Sequence, residues 1–269
     1  MPEAHRSVAD SPVRFEIMKE GMKGRRKRRL SPEVTPLNAK SLGVSSIGYA
    51  QAPERWIFQG KGILHLNAIM LTMEMDKVRL DTAPSVAGEQ AVIQTYRDLG
   101  IAANKIATYL RKRGYSAHAA HPLAGPTLYP PLTQMAGLGW LSASGLMITP
   151  EHGPRVRLAA VFTSIENLPF STHNDHAWVA DFCAECGICI RQCPVGAILP
   201  EPIQHANGQI TCVDNNRCFP YFSDNYGCSV CIKVCPFNQT SYDTIKRTFF
   251  NNRTVPNPTP HRQEIHCHT

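Results

Sequence analysis

The sequence predicts an α+β protein in which a mixed region of strands and helices precedes a smaller, cysteine-dense region. Three observations carry this. Strand-like apolar runs and one long amphipathic stretch lie between about residues 40 and 165. Nine of the ten cysteines fall between Cys183 and Cys235. Hydrophobic residues make up 43% of the 269 and charged residues 18%, which supports a packed core and excludes a largely disordered or fibrous chain. No apolar run reaches the roughly 18 residues of a membrane-spanning helix. The best, GILHLNAIMLTMEM, is interrupted by His65, Asn67 and Glu74.

Residues 1–38 read as a basic, solvated tail. The first 30 residues hold nine Lys or Arg and four Asp or Glu, a balance of +5, so only +2 of the net +7 remains for the rest of the chain. KGRRKRRL has no helical periodicity, and Ser31, Pro32 and Glu33 stand where a twin-arginine export signal needs an apolar segment. The expectation is a cytoplasmic protein, with nucleic acid not expected as its partner.

VSSIGYA (44–50) reads as a short strand and AIMLTMEM (68–75) as a second, more buried one. From about Glu89 a long amphipathic helix follows, its stripe running through Ile93, Tyr96, Ala103, Ile106, Ala107 and Leu110. Arg111, Lys112 and Arg113 suit its C-terminal end and Gly114 its cap. Gly100 inside that helix weakens it, which points to close packing there. GLMITP and RVRLAAVFT read as a hairpin across Glu151 to Pro154. In its second strand Val156, Leu158, Ala160 and Phe162 share one face, and Arg155 and Arg157 the other. The domain boundary falls near residue 175, leaving regions at 39–175 and 176–240 and a C-terminal tail over 241–269.

Cys183, Cys186, Cys189 and Cys193, followed by Pro194, spell C-x2-C-x2-C-x3-C-P. Three thiolates at that spacing wrap one face of a cubane, and the fourth points toward a second cluster. Cys218, Cys228, Cys231 and Cys235, followed by Pro236, form a degenerate second copy with its first cysteine displaced by a nine-residue loop. By the crossing rule of two-cluster ferredoxins, one [4Fe-4S] cluster takes Cys183, Cys186, Cys189 and Cys235, and the other Cys193, Cys218, Cys228 and Cys231. Structural zinc, the rival, uses two separated ligand pairs and fits this spacing less well. Cys212 and Cys267 stand outside the pattern and read as ordinary thiols.

The ordered set AKSLGVSSIGYA, IMLTMEM, YRDLGIAANKIATYLRKRGYSA, AGLGWLSASGLMITPEHGPRVRLAAVFT, DFCAECGICIRQCPVGAI and VDNNRCFPYFSDNYGCSVCIKVCPFN resembles the corrinoid iron-sulfur reductases. These comprise reductive dehalogenases and epoxyqueuosine reductases. The resemblance implies a nitroreductase-like α/β domain that binds cobalamin at 39–175, then a ferredoxin-like domain with two [4Fe-4S] clusters at 176–240. It implies that Gly137, Gly139 and Gly145 let backbone approach the corrin; a tight turn is the alternative for them. Epoxyqueuosine reductases carry a catalytic aspartate where this chain has Leu123, and a tRNA-binding repeat domain at the C-terminus, so the dehalogenase branch is the nearer one. That branch uses a tyrosine helped by a basic residue. Tyr96 occupies the matching position, and Arg155 or Arg157 supplies the cation. The implied activity is reductive cleavage of a carbon–halogen bond in a small organic substrate, with electrons from an external ferredoxin or flavoprotein reductase. An electron-transfer or corrinoid-handling protein without that activity is the alternative, and a tRNA-modifying epoxyqueuosine reductase-like enzyme a further one.

Overall fold

The computed structural model describes residues 39–205 and 210–252. The basic stretch and Cys267 lie outside these. After a 3-10 turn at Ala39–Leu42, β1 (Ser46–Gln51) and β2 (Asn67–Glu74) pair antiparallel. A short α1 (Lys77–Leu80) is capped by Asp76, whose side chain accepts from the Arg79 N–H. The long α2 (Val86–Lys112) begins at Ser85, whose hydroxyl accepts the Gly88 N–H at 3.0 Å. β3 (Ala117–Ala120), α3 (Tyr129–Met135), β4 (Trp140–Leu141), β5 (Met147–Ile148) and β6 (Val156–Thr163) complete the first region.

Four strands form one sheet in the order β1-β2-β6-β3, all neighbours antiparallel. Its centre, β2, buries six consecutive residues, Ala68 to Met73, because both faces are covered. Ile69, Leu71, Ala159 and Val161 pack under α2 with Leu99, Ala103 and Ile106. Ala68, Met70, Ala160 and Phe162 pack on the other side against Trp56 and Leu132.

Two expectations are corrected here. The 140s strand does not pair with β6: β5 pairs β4, and only a Thr149–Gly153 bridge closes the turn. A strand apolar on both faces belongs in the sheet centre, so β6 takes β2 and β3 as partners. On α2 the buried face runs through Ala91, Thr95, Leu99, Ala102, Ile106 and Leu110, while Ile93 is 58% exposed. Two residues are about 200° of helical turn, enough to send Ile93 to the opposite side from Ala91. Gly100 is explained by His121, whose Nε2 lies 2.8 Å from where a Cβ would stand.

The second region starts at α4 (Trp178–Cys186), followed by α5 (Ile188–Arg191), the hairpin β7 (Ile198–Gln204) and β8 (Ile210–Val213), and α6 (Asn215–Asp224). α7 (Val230–Lys233), α8 (Pro236–Gln239) and α9 (Tyr242–Asn252) follow. Residues from 241, expected as a tail, open as α9 instead. Its Tyr242, Ile245 and Phe249 bury themselves against Trp178 and Phe237, which gives that segment an apolar reason to fold. No helix of the described residues is long and apolar enough to cross a membrane.

Polar and close backbone contacts are among those that join the regions. The Lys233 ammonium donates to the Ala83 carbonyl at 2.8 Å. The Asn238 amide donates to Asp81 Oδ1 at 2.8 Å. Gly153, at φ +55°, leaves room for the Phe237 carbonyl oxygen, which lies 2.3 Å from where a Cβ would be.

Candidate functional site

The cysteine site is built from helix ends. Cys183 and Cys186 lie on the last turns of α4, which Gly187 stops in the left-handed conformation at φ +57°. α5 starts from the same glycine and carries Cys189. Cys193 follows α5, and its sulfur accepts the Ala197 N–H at 3.2 Å. Cys218 sits on α6, started by Asp214, which accepts the Asn216 N–H at 2.9 Å. Cys228 and Ser229 are both left-handed, a bend that brings Cys231 on α7 back toward the others. Cys235 stands at the N-terminus of α8.

These thiols fall into two electrostatic sets. Cys183, Cys186, Cys189 and Cys235 act on one another. Cys193, Cys218, Cys228 and Cys231 form the other set, and Cys189 interacts across the two with both Cys193 and Cys231. The first four line one cavity together with Cys231, Ser142 and Ser144. Backbone N–H groups face the sulfurs: Ala143 toward Cys183, Ile190 toward Cys189, Val230 toward Cys228, Ile232 toward Cys231 and Phe237 toward Cys235. Burial pushes the Cys183 and Cys231 thiols up to about 12 and raises Cys189, Cys218, Cys228 and Cys235. Without metal these sulfurs therefore hold their protons, and a cluster must displace them. The donor set, its N–H partners and the shared cavity fit an iron-sulfur cluster. Trp178, Phe182, Phe237 and Phe249 shield the first set, with ring centroids 5.0–6.2 Å apart in the contacts among them.

Cys212 belongs to neither set. It is buried on β8.

Strand alternation put both arginines on one face, and the structure separates them. Arg155 is buried and ion-paired with Glu74, which His152 also approaches at 3.3 Å. Arg157 lies over the Tyr96 ring, its guanidinium carbon 4.7 Å from the centroid. Burial lowers the Arg157 proton affinity, and the neighbouring Tyr96 and Cys231 pull it back up. Sequence reasoning missed Glu74, because its approach to Arg155 depends on the β2–β6 register.

The three glycines are spent inside the protein. Gly139 has the Ile148 carbonyl oxygen 2.0 Å from its absent Cβ, and Gly137 has the Ser171 hydroxyl at 3.0 Å. Gly145 closes a turn, donating to the Ser142 carbonyl at 2.9 Å. Where Gly137 and Gly139 lack side chains, protein atoms already fill the space a Cβ would take.

A 4Fe-4S dicluster domain family matches residues 182–239. A tetrachloroethene reductive dehalogenase of Desulfitobacterium hafniense is 32% identical over 210 residues, covering 73% of this chain and 37% of that protein. An epoxyqueuosine reductase of Francisella cf. novicida is 29% identical over 143 residues, 47% of this chain and 36% of its own length. The solved structure of a catabolic reductive dehalogenase in complex with 3-bromo-4-hydroxybenzoic acid matches with a TM-score of 0.69 at 23% identity, over 90% of this chain and 38% of that one. The chain thus spans little more than a third of the relatives it matches. Its α+β fold resembles the reductive dehalogenase structure, and a dicluster domain for two 4Fe-4S clusters follows.

Proposed function

We propose that this chain, a relative of the reductive dehalogenases with epoxyqueuosine reductases standing further off, works as an iron-sulfur reductase that cleaves a carbon–halogen bond. The observation that carries the reading is a phenol under a guanidinium, Tyr96 and Arg157, in a chain that also holds a two-set cysteine array. Bound clusters supply single electrons. In the overall reaction two electrons and a proton enter, the carbon–halogen bond breaks, a carbon–hydrogen bond forms and halide leaves. An external ferredoxin or flavoprotein provides the electrons.

The chain's own residues have definite work in this. The cysteines hold the clusters in two adjoining sets, and Cys189 and Cys231 mark where the sets meet. The Tyr96 hydroxyl gives the proton to carbon, and Arg157 stabilises the phenolate left behind. Glu74 keeps Arg155 occupied, which leaves Arg157 for the phenol. Cobalamin enters from the family likeness, and no step is derived through it. The second reading is an electron-transfer protein without dehalogenase activity.

The test is anaerobic reconstitution with iron and sulfide, with and without cobalamin, followed by halide release from a panel of halogenated phenols and alkenes under a strong artificial reductant. The expected result is about eight irons per chain. Turnover should fall roughly 100-fold or more in Tyr96→Phe, with iron content intact. Iron-loaded protein that exchanges electrons but releases no halide would hand the function to the second reading.

A further inference from the structure

We infer that the hydroxyl pair of Ser142 and Ser144 donates a hydrogen bond to the cluster held by Cys183, Cys186, Cys189 and Cys235 and so raises its reduction potential. This rests on the two-cluster reading above and adds to it a contribution of the first region to electron delivery.

The pair stands on the loop between β4 and β5. That loop is fixed by its own backbone: the Ser142 N–H donates to the Leu146 carbonyl at 2.9 Å, and the Gly145 N–H donates to the Ser142 carbonyl at 2.9 Å. Both serines are 6% exposed, and their hydroxyl oxygens lie 2.9 Å apart. A hydrogen bond between two hydroxyls uses one of their two protons. Whichever serine donates, the other keeps an O–H, and neither hydroxyl has a further partner among the described residues. A buried donor without an acceptor costs free energy, so what it faces decides its role.

Both serines line the cysteine cavity. Sulfur is the only side-chain acceptor on the other walls, where every remaining residue is isoleucine, proline, phenylalanine or glycine. All four cysteines of the first set line that cavity, against Cys231 alone of the second. A cubane held by the first set therefore meets the hydroxyls, and its sulfurs supply the acceptor that the remaining O–H lacks. The cluster gains negative charge on reduction, a donor to its sulfur favours that form, and the potential rises. Ser142 and Ser144 are thus positioning residues that tune the cluster without ligating iron.

The experiment is an EPR-monitored redox titration of the anaerobically reconstituted full chain, with iron counted first. Fewer than about eight irons in the wild type would fail the two-cluster reading itself, separately from this inference. Cys218→Ala removes a ligand of the second set, and the couple that it retains identifies the first cluster. In the Ser142→Ala, Ser144→Ala double variant that couple should become roughly tenfold harder to reduce, a downward shift of about 59 mV for one electron, while the other couple stays in place. Each single variant keeps one hydroxyl able to donate, so each should lie nearer to wild type. If the double variant loads only the second cluster while both single variants load two, the need for a hydroxyl stands. An unmoved or raised couple in the loaded double variant, an equal shift of both couples, or equal loss of the first cluster in all three variants would each overturn it.

Discussion

The two halves of this molecule are held together by different physics. In the first, β2 buries six residues in a row, and α2 and α3 close the two faces of the sheet. Hydrophobic burial of that kind, about 25 cal/mol per Å² of apolar surface, stands on its own. In the second, α5 and α6 bury no residue at all, and beside the aromatic cluster of Trp178, Phe237, Tyr242 and Phe249, Cys189, Cys193, Cys218 and Cys231 pack around the small β7–β8 core. One half needs only its side chains. The other adds sulfur to a smaller aromatic core, and ligand binding becomes part of its folding energy.

The largest way to break this contrast is to remove the iron. After anaerobic chelation, hydrogen exchange should show residues 182–239 losing protection, while β2 and β6 amides stay slow. Equal protection in both halves would refute the division. A narrower cut is Cys231→Ser, which should leave about four of eight irons by chemical analysis. Cys212→Ser, outside both sets, should leave the iron content whole.

In the first half, Leu71→Ala removes a side chain with 0% exposure between β2 and α2. It should lower unfolding free energy by roughly 3 kcal/mol in denaturant melts, with iron content unchanged. Gly139→Ala forces a Cβ toward the Ile148 carbonyl and should lose about 1–3 kcal/mol in the same assay. A neutral result there would mean that β4 and β5 shift freely.

The smallest effect lies at the seam. His176 bonds the Tyr242 hydroxyl at 2.8 Å, and burial together with Lys246 holds its imidazole below the usual histidine range. Its neutral form is the folded form. The stability it contributes is therefore present above pH 6.5, the unperturbed value, and is lost as pH falls through the folded value. Melting temperature should drop more steeply from neutral pH to about pH 5 in wild type than in His176→Gln. Parallel curves would assign the acid response to other groups.

How much of this was legible beforehand follows from whether the cause is local. The strands at 46–51 and 67–74, the long helix with Gly114 past its end, and the cysteine spacing are all written in near neighbours, because alternation, capping and ligand spacing act over a few residues. The helix stripe was misjudged at Ile93 because Thr95 and Gly88, not obvious core residues, line the buried face. α9 was read as tail because its aromatic contacts, Trp178 and Phe237, lie elsewhere in the chain.

The sequence by itself determined which elements form and which residues carry chemistry: thiols at cluster spacing, a tyrosine on a helix, two arginines alternating on a strand. Only the tertiary structure decided which arginine serves the tyrosine. Strand alternation makes Arg155 and Arg157 equivalent, and no local rule separates them. The β2–β6 register breaks the tie by bringing Glu74 to Arg155, while the crossing of α2 over that face carries Tyr96 to Arg157. Pairings across more than 60 residues depend on how layers dock, and docking is settled by the burial of whole faces rather than by any one residue's pattern.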